Sequence, residues 1–178
     1  MLHRAGLKWG IILGAAVSVW TLAIHAMGFY TTRIRFGLIA DNVVTILPVA
    51  AVTLALLEHR RRTGALTIRQ SVTLGFIVGI VSAPITVGFL WIYHHYINPG
   101  WVDYLVEHAT AQAAANGSSS GDVATIVDNL RRSSTDSAQI AGGFIGSVLL
   151  GTLIGLLGGV FLRRRPAHPA HHVRANEI

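Results

Sequence analysis

Four ionisable side chains lie inside or beside long apolar stretches of the sequence: His25, Asp41, His94 and His95. An ionisable group in a membrane-spanning segment indicates a functional site by default, because its burial in lipid is costly. Imidazole and carboxylate groups can bind divalent metals or relay protons. Neighbouring residues on a helix point in different directions, so only one of His94 and His95 can face His25. The sharpest hypothesis is therefore a polar cluster of His25, Asp41 and one of the paired histidines.

A simpler interpretation places each of these residues separately at a membrane surface. Counting back about 1.5 Å per residue from Glu58 puts Asp41 about 25 Å along its helix, near the outer edge of the membrane. There Asp41 can pair with Arg33 or Arg35, and a charge costs much less than at the midplane. We favour this interpretation, and we predict no catalytic residue, no bound metal and no cofactor. The sequence has no phosphate-binding loop, zinc-protease motif or nucleophile elbow with partners.

Composition places the chain among integral membrane proteins. Of its 178 residues, 52% are hydrophobic and 12% are charged, whereas soluble domains are about 25% charged. The chain has no cysteine, which excludes disulfides and thiolate metal sites. The net charge of +6 comes from basic residues beside apolar stretches, which indicates membrane orientation and no nucleic-acid partner.

Four apolar stretches are long enough to cross a bilayer, which takes about 20 residues. They cover residues 9–30, 36–57, 71–97 and 140–162. We predict an all-α polytopic membrane protein, with residues 1–178 forming a single membrane domain. Its core is a four-helix transmembrane bundle, and a short extracytoplasmic helical insert at 98–137 lies between spans three and four.

Lysine and arginine set the orientation, because they favour the cytoplasmic side. Most lie at the N-terminus, between spans two and three, and after span four; these are Arg4, Lys8, Arg60, Arg61, Arg62, Arg69, Arg163, Arg164, Arg165 and Arg174. We therefore expect both termini and residues 58–70 in the cytoplasm. Residues 163–178 are expected to form a disordered cytoplasmic tail, although its histidines could also bind divalent metals weakly.

The insert is predicted to hold two short helices joined by the flexible linker Asn116–Gly121. Asp122 is expected to cap the second helix. About forty residues are too few for an independent core. We therefore expect the insert to lean on the bundle, on lipid or on a partner.

Small residues recur at every fourth position in three of the four spans. Because lipid gives helices little hydrophobic reason to associate, such residues mark close helix–helix contacts. We favour packing within one bundle, although one stripe could remain for a homodimer or another membrane protein. The helix-packing residues are Gly6, Gly10, Gly14, Ser18, Gly75, Gly79, Ala83, Gly143, Ser147, Gly151, Gly155 and Gly159.

Two prolines fall inside predicted spans, Pro48 and Pro84. Each removes a backbone hydrogen bond and is expected to kink its helix. Thr45 and Ser82 lie close enough in sequence to help satisfy the freed carbonyls.

Two arginine runs flank the predicted spans, Arg60, Arg61 and Arg62 after the second and Arg163, Arg164 and Arg165 after the fourth. Such runs can hold anionic lipid head groups. Their position is already explained by orientation, so lipid binding is a secondary expectation.

The stretch from Thr67 to Glu107 resembles a family of small bacterial membrane proteins with no assigned activity, domain of unknown function forty-one ninety-nine. The resemblance covers roughly residues 5 to 165. It rests on an entry motif at Leu7, Lys8, Trp9, Gly10 and Gly14, on Arg69 and Gln70 before span three, and on an exit motif at Tyr93, Tyr96, Ile97, Asn98 and Pro99.

The resemblance implies four spans in a bacterial inner membrane and an outer helical insert, and it implies no catalytic residues. The Asp41-Asn42 and His94-His95 pairs are not expected of the family, so a site built on them would be particular to this chain. We expect a non-enzymatic scaffold, assembly or modulator subunit. The alternative is a small oligomeric transporter or channel.

Overall fold

The computed structural model describes residues 2–29, 39–40 and 42–162, and within these ranges its regular elements are all helical. The six α-helices are α1 (Leu2–Ala26), α2 (Ile46–Thr63), α3 (Ile68–Ile92), α4 (Trp101–Ala115), α5 (Ser120–Ser133) and α6 (Asp136–Leu162). A π-helical turn, Tyr93–Ile97, continues α3. The all-α prediction is confirmed for the described residues. The predicted tail at 163–178 lies outside them.

Among the described residues, three helices are long and apolar enough to cross a membrane, which indicates a membrane protein. They are α1, α3 with its π-helical turn, and α6, and each begins earlier than the sequence predicted. The first span also ends earlier, at Ala26 instead of Tyr30. Gly28 has φ 73°, and the N–H of Phe29 donates to the carbonyl of Ile24 at 3.2 Å. This left-handed glycine and the six-to-one bond form a Schellman ending.

The predicted second span differs most from the structure. Residues 36–38 and 41 of that span lie outside the described residues, and α2 begins only at Ile46. It then continues past Leu57 through the charged residues to Thr63, where Gly64 ends it with φ 75°. Only about 18 Å of α2, from Ile46 to Leu57, is free of charge at about 1.5 Å per residue. A fourth crossing therefore stays a prediction.

The sequence predicted that Pro48 lies in the middle of a helix, but the structure places it near the start of α2. It lies in the first turn of α2, where its missing N–H has no helical partner to lose. The N–H of Leu47 bonds to the carbonyl of Val44 at 3.0 Å, and the hydroxyl of Thr45 bonds to the carbonyl of Asn42 at 2.6 Å. The proline therefore marks the boundary between α2 and the preceding turn.

Pro84 does lie inside its helix, α3. It removes the bond that would reach back four residues to the carbonyl of Ile80. The Ser82 hydroxyl donates instead to the carbonyl of Gly79 at 3.2 Å. The prediction that Ser82 helps to satisfy the freed carbonyl of Ile80 is therefore wrong, because its hydroxyl bonds to the carbonyl of Gly79.

The core lies where four helices meet. α3 packs between α1 and α6, and α2 packs against all three. The buried apolar side chains come from each of these helices and include Leu13, Val52, Ala55, Leu56, Leu74, Val78 and Ile154. This arrangement makes α3 the helix on which the positions of the others depend.

α4 and α5 form a hairpin outside this core. Arg131 pairs with Asp103 at 3.7 Å across the hairpin, and α5 has no buried residue. α5 starts at Ser120, inside the predicted linker, because Ser119 and Asp122 form a capping box. Ser119 is therefore the cap, and Asp122 is its partner three residues later.

Candidate functional site

The glycines of α3 and α6 bring two backbones into direct contact. A Cβ atom added to Gly79 would lie 2.7 Å from the carbonyl oxygen of Ser147, and one on Gly155 would lie 2.5 Å from that of Ser71. Gly75 would meet the carbonyl oxygen of Gly151. No side chain fits between the helices at these three glycines, so the small residues set the distance of approach there.

The stripe on α1 packs against larger side chains of α3. Gly6 faces Ile77, and a Cβ on Gly10 would lie 2.7 Å from Cβ of Val81. Gly14 faces Ile85 in the same way.

The remaining residues of the predicted stripes have these positions. Gly143 faces Val87 at 3.0 Å and Gly159 faces Ser71 at 2.8 Å, while Ala83 is fully buried. The glycines of the three stripes, together with Ala83, thus lie at contacts inside the chain.

Three hydroxyl groups of α1 and α6 donate to the backbones of their own helices. The Ser18 hydroxyl donates to the carbonyl of Gly14 at 2.9 Å, and that of Ser147 donates to Gly143 at 2.8 Å. Thr152 donates to Val148 at 2.7 Å. Hydroxyls that bond within their own helix do not present donors to a passing solute.

The three described residues of the hypothesised polar cluster, His25, His94 and His95, each contact a different side chain. His25 bonds to Tyr93, whereas the ring of His94 stacks on that of Trp101 with centroids 4.3 Å apart. His95 points to Asp136, with 3.4 Å between Nε2 and the carboxylate oxygen. Asp41 lies outside the described residues. Among those described, no group of three histidine or acidic residues could hold a metal ion.

A different polar network lies at the end of the bundle where α1 ends and α3 continues into the π-helical turn. The Tyr93 hydroxyl lies 2.9 Å from Nδ1 of His25 on α1, and the amide of Asn98 donates to the same hydroxyl at 3.3 Å. Tyr93 is 2% exposed. Both contacts are satisfied when Tyr93 donates its proton to His25 and accepts the Asn98 proton. The network therefore ties α1 to the end of α3.

The π-helical turn makes this network, because it sets the rotation between Tyr93 and Asn98. The N–H of Asn98 donates to the carbonyl of Tyr93, five residues back, at 2.8 Å. Such turns often occur at functional sites. Sequence reasoning named Tyr93 as part of the exit motif and gave it no partner. The signal that was available was the exit motif, which contains both Tyr93 and Asn98.

Glu58 forms a second polar centre at the opposite end of the bundle, and sequence reasoning missed it too. Its carboxylate accepts from Lys8 at 3.0 Å and from Trp9 at 2.8 Å on α1. It also accepts from Arg62, one turn along α2, at 2.7 Å. The hydrogen bond from Lys8, followed by that from Trp9, lowers the pKa of Glu58 from its ordinary value of 4.5. Glu58 thus clamps α1 to α2 as a carboxylate.

We expect stability to depend on pH through Glu58. A carboxyl whose pKa is lowered on folding stabilises the fold fully above its unfolded pKa, and this stability is lost as pH falls through the folded pKa. Unfolding midpoints in micelles should therefore drop as pH falls below about 4.5, and Glu58→Gln should remove this part of the drop. Glu107→Gln, an exposed glutamate on α4, is the matched control. An equal pH profile for wild type and Glu58→Gln would contradict the clamp.

The predicted head-group arginines have different surroundings. Arg62 pairs with Glu58 at 2.7 Å, whereas Arg61 has no ion pair within the described part of the chain and lines a cleft between α1 and α2. Arg60 does not line that cleft. Arg163, Arg164 and Arg165 lie outside the described residues.

His59 lies beside these arginines but faces the interior and is only 4% exposed. Its Nε2 atom has no hydrogen-bond partner among the described residues. Burial lowers the pKa of His59, so the side chain is neutral at pH 7.

Comparison with known proteins gives one match. A family model described as "Protein of unknown function (DUF4199)" matches residues 8–164, which include most of α1 and all of the other described helices. No curated protein matches the chain, and no solved structure does. The resemblance drawn from the sequence motifs is therefore confirmed.

Proposed function

Since the chain belongs to the family "Protein of unknown function (DUF4199)", whose matched region here carries three membrane-spanning helices, we propose that it is a non-enzymatic membrane subunit. In this role it acts as a scaffold, assembly partner or modulator of other membrane components. The close backbone packing of α3 on α6 carries this proposal, because it supports a rigid frame better than a passage for solutes.

The proposal includes four crossings and both termini in the cytoplasm of a bacterial inner membrane. α2 supports the fourth crossing, because Val52, Ala55 and Leu56 are buried against the other helices. Residues 39–40 and 42–43 are also helical and precede α2, which adds length toward the outer surface. The basic residues of α2 and the N-terminus then share one side of the membrane.

The described core offers little to a transported solute. Glycine faces meet backbone or apolar side chains, and the hydroxyls of Ser18, Ser147 and Thr152 are bonded within their own helices. The polar networks around Tyr93 and Glu58 lie at opposite ends of the bundle.

The outer hairpin is the part of the chain most available to a partner. On α5, Ile126 is exposed, and Val123, Val127 and Leu130 are only partly buried. These apolar residues share one face at helical spacing. A frame that holds such a face at the membrane surface suits an assembly role.

An oligomeric transporter is the second candidate, and one observation favours it. Gly142 and Gly146 lie one turn apart on α6, and a Cβ on either would meet nothing within 4 Å. Small residues with this spacing can bring two copies of a chain together in lipid, and a path could then form between them.

Flux and oligomeric state separate the two candidates. For the subunit role we expect proteoliposomes with wild-type protein to be no more permeable to protons or K⁺ than empty ones. The mass of the protein assembly in nanodiscs should be the same for Gly146→Leu as for wild type. Two results together would support the transporter instead. Wild-type proteoliposomes would show more flux than empty ones, and Gly146→Leu would abolish both this flux and an oligomer seen in wild type.

Photo-crosslinking tests the assembly role directly. A photoreactive residue at Ile126 in cells that naturally express the chain should give one discrete protein adduct. The same residue at Val19, an exposed position on α1, should give lipid adducts only. Protein adducts that are absent at Ile126, or identical at both positions, would argue against the outer hairpin as the partner surface.

A further inference from the structure

We propose that the cleft between α1 and α2 binds one anionic phospholipid, with its phosphate on Arg61 and the start of an acyl chain on Leu54 and Leu57. The cleft has a volume of about 310 Å³ and is lined by Trp9, Leu54, Leu57, Glu58, Arg61 and Arg62. This inference goes beyond the proposed subunit role, but it rests on the proposed placement of α2 in the membrane.

The walls of the cleft match the two ends of a phospholipid. Leu54 lies one turn before Glu58, and Leu57 lies one turn before Arg61. Leu54 is 44% exposed, so an apolar surface is open to lipid chains. Trp9 contributes a ring with a polar edge, which suits the boundary between chains and head groups. The volume is at the small end of ligand sites. It holds a phosphate and the first part of a chain, while the rest of the lipid stays in the bilayer.

The charges of the cleft favour an anion. Glu58 is the one acidic residue of the lining, and its carboxylate already accepts hydrogen bonds from Lys8, Trp9 and Arg62. Glu58 therefore already has three hydrogen-bond donors, two cations and one indole, and needs no further cation. Arg61 remains without an acidic partner among the described residues, so the rim carries an excess of positive charge. A phosphate supplies the bidentate acceptor that a guanidinium prefers.

Orientation alone does not account for this arrangement. The positive-inside tendency explains why arginines follow the apolar part of α2. It does not require an acid among them, an indole bonded to that acid, or an open apolar surface directly below. Basic pockets between transmembrane helices at head-group depth are known to bind anionic lipids.

Native mass spectrometry of the purified full chain in detergent tests the site. The probe is phosphatidylglycerol, with phosphatidylcholine as the zwitterionic comparison. We expect one phosphatidylglycerol to bind in preference to phosphatidylcholine. Arg61→Gln should weaken it about tenfold, as is typical of losing one charged hydrogen-bonded contact. Arg60→Gln, with the same change of charge one residue away and outside the cleft, should retain it.

A second variant tests the acyl part of the site. Leu54→Trp fills the apolar wall at an exposed position, where the fold can accept it, and should also reduce binding. Circular dichroism should show that all three variants keep their helix content. Soluble glycerol phosphate should not displace the lipid, since it lacks the chain.

Three results would overturn the inference. Equal loss of lipid binding in Arg60→Gln and Arg61→Gln would mean that the overall positive charge of the protein attracts the lipid. Unchanged binding in Arg61→Gln would place the lipid elsewhere. Displacement by glycerol phosphate would make this a phosphate site that does not recognise lipid. None of these results bears on proteoliposome flux, so the lipid site and the subunit role can fail separately.

Discussion

Gly151→Ala should destabilise the protein by about 1–3 kcal/mol, the usual cost of overpacking a well-packed core. An added methyl group would lie 2.6 Å from the carbonyl oxygen of Gly75 and 3.2 Å from Cα of Gly79. Both are backbone atoms of α3, so neither can rotate aside, and the two helices must separate. The measurement is the free energy of unfolding in mixed micelles, followed by circular dichroism.

Gly146→Ala is the matched control, five residues earlier on the same helix. Nothing lies within 4 Å of a Cβ at this position, so the same methyl group meets no protein atom. Its stability should equal that of wild type or exceed it by up to about 1 kcal/mol, since alanine favours a helix over glycine. Equal destabilisation by the two substitutions would contradict the backbone contact between α3 and α6.

Tyr93→Phe should lower the free energy of unfolding by about 1–3 kcal/mol, because it leaves buried polar partners without their hydrogen bonds. The hydroxyl is bonded to Nδ1 of His25 and to the amide of Asn98. The substitution keeps the ring, so the packing of α1 against the end of α3 changes little. Any loss therefore measures the polar network itself.

Tyr96→Phe, in the same π-helical turn, is the control. Tyr96 is 74% exposed, so removal of its hydroxyl should change stability by less than about 0.5 kcal/mol. The unfolding measurement described for Gly151→Ala serves for both variants. If Tyr93→Phe is as harmless as Tyr96→Phe, the network contributes nothing to the fold.

Local periodicity was enough to predict most of the helices. The four-residue spacing of Gly143, Ser147, Gly151 and Gly155 predicted one narrow face, and the structure places that face on α3. The apolar lengths of three spans were also sufficient, because a helix in lipid must satisfy its own backbone over the whole crossing. Ends were less well predicted, since a left-handed glycine such as Gly28 can end a helix before its apolar stretch does.

Features that depend on contacts between distant residues could not be predicted in this way. Glu58 looked like an ordinary charge at a helix end, and only the packing of α1 on α2 brings Lys8 and Trp9 to its carboxylate. The π-helical turn has no simple sequence pattern, so Tyr93 could not be assigned to His25. The position of Pro48 within its helix was predicted wrongly because α2 begins later than the predicted second span.

The central position of α3 has a consequence for biogenesis. Its contact with α1 can form as soon as the first half of the chain has been synthesised, since Gly6, Gly10 and Gly14 meet side chains of α3 itself. The opposite face, around Gly75 and Gly79, must wait for α6, which follows the hairpin of α4 and α5 in the chain. Until then a backbone groove lies open to lipid, and a chain truncated before residue 136 keeps it open. The core is therefore complete only when α6 has joined α3, well after α1 and α3 have met.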